Sequence, residues 1–119
     1  MTEAKLQTEP AQLDRLFHAL ADPHRRAMVT RLVEGPAAMT ELATTLGLAL
    51  PSTLKHLQVL ENGGMVASSK QGRVRTFAID RDGLAAMQAW LAEHQRQLNA
   101  GFDRLEALMR AMPEKDPNA

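Results

Sequence analysis

The chain contains no cysteine and no tyrosine. Without thiols it can form no disulfide, bind no metal through thiolate, and offer no cysteine nucleophile or redox switch. Aromatic residues are 3% of its 119 residues, namely Phe17, Phe77, Trp90 and Phe102. So few rings argue against a protein that stacks successive bases on an aromatic platform. Net charge is lacking as well, because 14 basic side chains face 14 acidic ones. A neutral chain has no global attraction for nucleic acid, so any such binding must rest on local clustering. No apolar run approaches the roughly 18 residues of a membrane span, and the opening MTEAKLQTEP has no apolar leader core. The expected setting is cytoplasmic, with no membrane partner. Catalytic signatures such as GxSxG, HExxH, GxGxxG or a P-loop are absent. Of Asp14, Asp22, Asp80 and Asp82, only the last two are closely spaced, and they read as a helix cap with a first-turn charge. The chain is therefore read as no enzyme, with no catalytic residue and no cofactor.

What remains is ordinary globular composition, 45% hydrophobic and 24% charged, in one domain's length. A single domain over 1–119 is expected, with an ordered core of about 8–112 and a polar tail over 113–119. Thr8-Glu9-Pro10 opens a helix carrying Leu13, Leu16, Phe17 and Leu20. Asp22 then caps a second helix with Pro23 in its first turn, its apolar stripe being Met28, Val29, Leu32 and Val33. Gly35-Pro36 ends it. Thr40 and Glu41 start a short third helix that stops at Gly47, and Pro51 opens a fourth over 51–62. Leu54, Leu57, Val59 and Leu60 are its expected buried side. After Asn62-Gly63-Gly64 the period changes to two: a strand over 65–69, a turn at Lys70-Gln71-Gly72, and a return strand over 73–79. Two strands alone are marginal, so the hairpin must pack on the helices. Asp80 caps a long last helix, in which Leu84, Leu91, Leu98, Leu105 and Met112 recur every seventh residue. Such a seam marks a helix–helix interface, taken either by another chain or in part by the protein's own domain. Gly101 could bend or split this helix, and Met112-Pro113 ends it.

The fold class is thus mainly α with a two-stranded β-hairpin. The third and fourth helices have the size of a helix-turn-helix, and the hairpin over 65–79 would be its wing. Three stretches, LFHALADPHRRAMVTRLVEG, MTELATTLGLALPSTLKHLQVLENGGMV and KQGRVRTFAI, resemble the ArsR family of winged-helix transcriptional repressors in the order in which they occur. The resemblance covers about residues 13–92. It implies a homodimeric repressor of double-stranded DNA, reading an imperfect inverted repeat with the helix over 51–62 in the major groove and the wing on flanking backbone or minor groove.

The charge distribution agrees. Between residues 51 and 81 stand five basic side chains, Lys55, Lys70, Arg73, Arg75 and Arg81, against two acidic ones, Glu61 and Asp80. Phosphate binding needs such a face and gains by counterion release. Ser52, Thr53, Lys55, His56 and Gln58 are the polar residues at the start of the fourth helix, able to reach base edges or phosphates, with Thr40 on the helix before it. Arg73 and Arg75 alternate along a strand and would share one side. Leu50 and Leu54 stand where the family often has Gln and Ser, which implies fewer direct base contacts. For the dimer the candidates are Leu13, Leu84, Leu91, Leu98 and Leu105.

Many relatives in that family release DNA when a metal binds. The position of one such site, a C-V-C-like motif, holds Ala38-Met39-Thr40 here, none of them a good ligand. The other follows D-x-H-x10-H-x2-E/H on the last helix. Starting it at Asp80 gives Asp82, Glu93 and Arg96, and centring it on His94 gives Arg81, Gly83 and Gln97. Neither is a zinc set. The segment from Trp90 to Phe102-Asp103-Arg104-Leu105-Glu106 resembles a branch without the usual metal sites, and no metal ligand is expected. His18 and His24 could still approach one another, and His94 falls near the seam. Two alternatives stay open: a winged-helix module for a protein partner, and a metal-responsive repressor with a nonstandard His/carboxylate site. The sequence names no effector.

Overall fold

The computed structural model describes residues 10–112; Thr8, Glu9 and the tail over 113–119 lie outside them. Its order is α1 (Pro10–Ala19), α2 (Pro23–Val33), β1 (Ala37–Ala38), α3 (Met39–Leu46), α4 (Leu50–Asn62), β2 (Val66–Gln71), β3 (Val74–Ile79) and α5 (Arg81–Ala111). Two compact units divide it, one ending at Met87 and one beginning at Gln88.

The first unit is built where polar and apolar signals agree. Asp22 caps α2, its carboxylate accepting the N–H of His24 at 2.9 Å and of Arg25 at 3.1 Å. Pro23 follows, where a missing N–H costs nothing. Asp80 caps α5 in the same way, through the N–H groups of Asp82 and Gly83. Every helix contributes to one core: Leu16 and Ala19 from α1, Met28 and Leu32 from α2, Leu42 from α3, Leu57 and Leu60 from α4, and Met87 from α5. Val66 and Phe77 bring the sheet onto that core.

The sheet has three strands, not two. Ala37 and Ala38 pair antiparallel with Phe77 and Thr76, giving the order β1-β3-β2. Two alanines carry no strand propensity, so this strand exists only because β3 offers an open edge. In the hairpin, Lys70 and Gln71 belong to β2, paired with Arg75 and Val74, and the turn is Gly72-Arg73. Arg73 thus leaves the strand on which it was expected to alternate with Arg75. Two expected core residues are also on the surface: Val33 at the end of α2 and Leu54 on α4.

One close approach fixes the root of α5. A Cβ at Gly83 would lie 1.9 Å from the carbonyl oxygen of Gly64, and nearby Asp80 donates its N–H to Met65 at 2.9 Å. Backbone here meets backbone, and only glycine fits.

The second unit is the remainder of α5. The helix runs through Gly101 without a break. Its surface holds local polar pairs: His94 Nδ1 donates to the carbonyl of Trp90 at 2.9 Å and stacks on its ring, Gln95 bonds Asn99, and Arg110 pairs with Glu106. The Arg96 guanidinium, bonded to Glu93, holds that carboxyl below its usual range. Along one side Leu91, Leu98 and Leu105 are 52%, 53% and 52% exposed.

The two glycines of α5 should therefore respond oppositely to alanine. Gly83→Ala should lower stability by about 3 kcal/mol or more, because backbone must move. Gly101→Ala, whose Cβ would meet nothing closer than an Arg104 nitrogen at 3.8 Å, should raise it by about 0.5–1 kcal/mol. Urea unfolding at one protein concentration measures both.

Candidate nucleic-acid interface

α3 and α4 are joined by the short turn Gly47-Leu48-Ala49. Gly47 takes a left-handed conformation, φ 66°, which lets Leu48 donate back to the carbonyl of Ala43 at 3.0 Å. At the other end of α3 the Glu41 carboxylate accepts the N–H of Ala38 at 3.1 Å. The first contact shapes the turn into α4, and the second fixes where α3 begins.

α4 buries Thr53, Leu57 and Leu60, at spacings of four and three. Thr53 is 0% exposed, and its hydroxyl donates to the carbonyl of Ala49 at 2.9 Å. It is a core residue that satisfies itself within the helix, and it is withdrawn from the expected base-reading set. Ser52, Lys55 and Gln58 are exposed on the opposite side, with Leu50 and Leu54 among them.

His56 is also redirected. Its ring is half-buried against the start of α2, with Nδ1 3.9 Å from Asp22 Oδ1 and 3.4 Å from Arg25 Nη1. Arg25 in turn donates through Nε to the carbonyl of Ala19 at 2.7 Å and through Nη2 to that of His18 at 3.1 Å, and Arg26 reaches the carbonyl of Leu20 at 2.8 Å. Two guanidinium groups thus cap the C-terminal end of α1. The Asp-Pro-x-Arg-Arg segment and His56 on α4, far apart in sequence, form one polar junction of α1, α2 and α4. His56 positions α4 and does not face its exposed side. Burial pushes the Asp22 carboxyl up, but the N–H groups of Arg25 and His24 and the charges of His56 and Arg25 outweigh it and hold it below the ordinary value.

Asp22, His24 and His56 bring three ligand-type atoms within 4.8 Å of one another. Sequence reasoning missed this grouping because only the fold brings His56 to His24; the expected partner, His18, is not in it. Two of the three donors are already engaged, however. Asp22 Oδ1 holds two N–H groups, and the Arg25 guanidinium lies 3.4 Å from His56 Nδ1. The set fits a structural junction better than a metal centre.

The wing gathers cations. Lys70 and Arg75 are directly opposed across β2 and β3, and Arg73 sits in the adjoining turn. Arg75 Nη1 donates to Ser68 Oγ at 2.9 Å, and that hydroxyl donates to Glu61 Oε2 at 2.7 Å, tying the wing to the end of α4. A groove runs between the wing and the helices, lined by Met39, Thr40, Leu54, Arg73, Val74 and Phe77 among others. Of the residues expected at a dimer interface, Leu13 and Leu84 are half-buried within the first unit, while Leu91, Leu98 and Leu105 are exposed on the second.

Known proteins share this architecture. Residues 20–68 match a family described as a helix-turn-helix domain. The HTH-type transcriptional regulator Rv2034 of Mycobacterium tuberculosis is 38% identical over 92 residues, 77% of this chain and 86% of that one. The crystal structure of the ArsR family transcriptional regulator RHA00566 is 48% identical with a TM-score of 0.71, covering 78% of this chain and 96% of the other. The chain belongs to the ArsR family. It is a winged helix-turn-helix DNA-binding transcriptional regulator and not an enzyme. The homodimeric winged helix-turn-helix DNA-binding domain of Mb0332 from Mycobacterium bovis, 24% identical with a TM-score of 0.60 over 73% of this chain and 82% of that one, shares the fold. Among the described residues of this ArsR-family protein, no helix is long and apolar enough to cross a membrane.

The junction predicts a pH dependence. A carboxyl held below its ordinary value stabilises the fold above that value, and the contribution is lost as pH falls through the folded value. Asp22→Asn keeps a capping oxygen but not the charge. Its urea midpoint should fall below wild type at about pH 6 and approach it at about pH 3. An equal gap at both values would assign the effect to packing.

Proposed function

We propose that two copies of the chain pair through the seam of α5, with a contribution from α1, and act in the cytoplasm as a repressor on an imperfect inverted repeat. α4 enters the major groove and the wing lies on flanking backbone or minor groove. The observation that carries this reading is the wing. Like charges directly opposed across a hairpin are destabilising, yet Lys70 faces Arg75 with Arg73 beside them in a chain of zero net charge. That cost is offset when phosphates arrive. Beside the wing, Ser52, Lys55 and Gln58 lie together on the exposed side of α4, with directional groups suited to base edges. Thr40 lines the groove at the first turn of α3, where helix N–H groups favour a phosphate.

Pairing is supported by Leu91, Leu98 and Leu105, three leucines at heptad spacing left half exposed on a helix whose other side is charged. Burying them gains roughly 25 cal/mol per Å². Two recognition helices would then meet half-sites about 34–36 Å apart. Leu98→Glu combined with Leu105→Glu should yield a monomer in sedimentation, and an unchanged dimer would move the interface elsewhere.

Sequence choice belongs to α4 and affinity to the wing. Arg73→Ala should weaken operator and random duplexes alike and lower the slope of log affinity against log salt by about one unit. Gln58→Ala should cost roughly 1–3 kcal/mol on the operator and little on random DNA. Binding curves on both duplexes at several salt concentrations decide this. The opposite pattern would make the wing the reader, and binding without salt dependence would remove DNA as the partner.

A further inference from the structure

We propose that Leu54, with Leu50 one turn before it, reads the 5-methyl groups of thymine, so that operator half-sites carry T at fixed positions beside the bases read by hydrogen bonds. This rests on α4 entering the major groove. Leu57 and Leu60 on the same helix are wholly buried, whereas Leu50 and Leu54 are 46% and 39% exposed. Neither belongs to the buried core cluster, whose partly buried neighbours include Met39, Leu46, Leu48 and Val59. They lie four residues apart, hence on one side of the helix and about 6 Å apart along it, and the row continues to exposed Gln58.

Their surroundings point to the occupant. Leu54 lines the groove whose other apolar walls are Ala38, Met39, Val74 and Phe77 and whose polar members are Thr40, Arg73 and Arg75. Val74 is itself exposed. Apolar surface edged by guanidinium groups complements a duplex, in which phosphates flank the groove and one base alone projects an apolar group into it. That group is the thymine methyl; cytosine presents an amino group, and the purines present ring nitrogen and polar substituents. A leucine neither donates nor accepts a hydrogen bond, so it favours thymine by contact and disfavours polar edges by desolvation. With bases stacked at about 3.4 Å, leucines about 6 Å apart reach thymines one or two steps apart. Gln58, one further turn along, is suited to adenine.

The experiment starts from duplexes enriched from a random library by the full-length protein. Each thymine is replaced singly by deoxyuridine, which removes the methyl and leaves every hydrogen-bonding group in place. Wild-type protein should lose about fourfold in affinity at one or two positions per half-site, the effect of one buried methyl. Leu54→Ala should bind thymine and uracil equally at one of them and Leu50→Ala at the other, with urea midpoints near wild type because both sites are exposed. Uracil tolerated everywhere by the wild type, or full discrimination kept by Leu54→Ala, overturns the inference. If Gln58→Ala still relaxes base preference in that case, α4 remains the reader and only the methyl contact falls. Failure to enrich any duplex overturns both readings.

Discussion

The carboxylate of Asp22 is the contact on which the arrangement of α1, α2 and α4 depends. One oxygen accepts the first free N–H groups of α2 and lies 3.9 Å from His56 Nδ1, with the charge of Arg25 nearby. Arg25 then closes the end of α1. Asp22 and Arg25 together thus tie the end of one helix to the start of the next and to α4. Few apolar contacts could do this, because packing tolerates rotation and directional hydrogen bonds do not.

α4 shows how a helix divides its labour. Thr53, Leu57 and Leu60 face inward, His56 faces the junction, and the remaining side mixes Ser52, Lys55 and Gln58 with two leucines. The inward residues are chosen for volume and the junction residue for geometry. Only the last set is free to respond to a ligand. Glu61, at the end of the same helix, reaches through Ser68 to Arg75, so the helix and the wing are tied to one another.

Much of this was legible from residue order. Helix limits followed from Asp22-Pro23, Gly47, Pro51 and Asp80, because capping and φ restrictions act within a few residues. What eluded the sequence depended on contacts distant in the chain. Thr53 and Leu54 are neighbours with exchanged expectations: the hydroxyl is buried and the leucine is not, since a threonine can bond its own helix and position on the helix outweighs polarity. His56 read as part of a basic motif until α2 was placed beside it. The strand at Ala37 had no signal at all, because its partner lies in the far half of the unit. Arg73 moved into the turn because the pairing runs two residues further than turn composition implied.

The opposition of Lys70 and Arg75 carries one more consequence. Added electrolyte screens the two cations from each other and relaxes the free hairpin. The same ions compete with the protein for phosphates and loosen the bound state. With the wing placed on phosphates as proposed, ionic strength acts with opposite sign on the wing's own stability and on its grip, so a concentration that suits the unbound protein is not one that suits the complex.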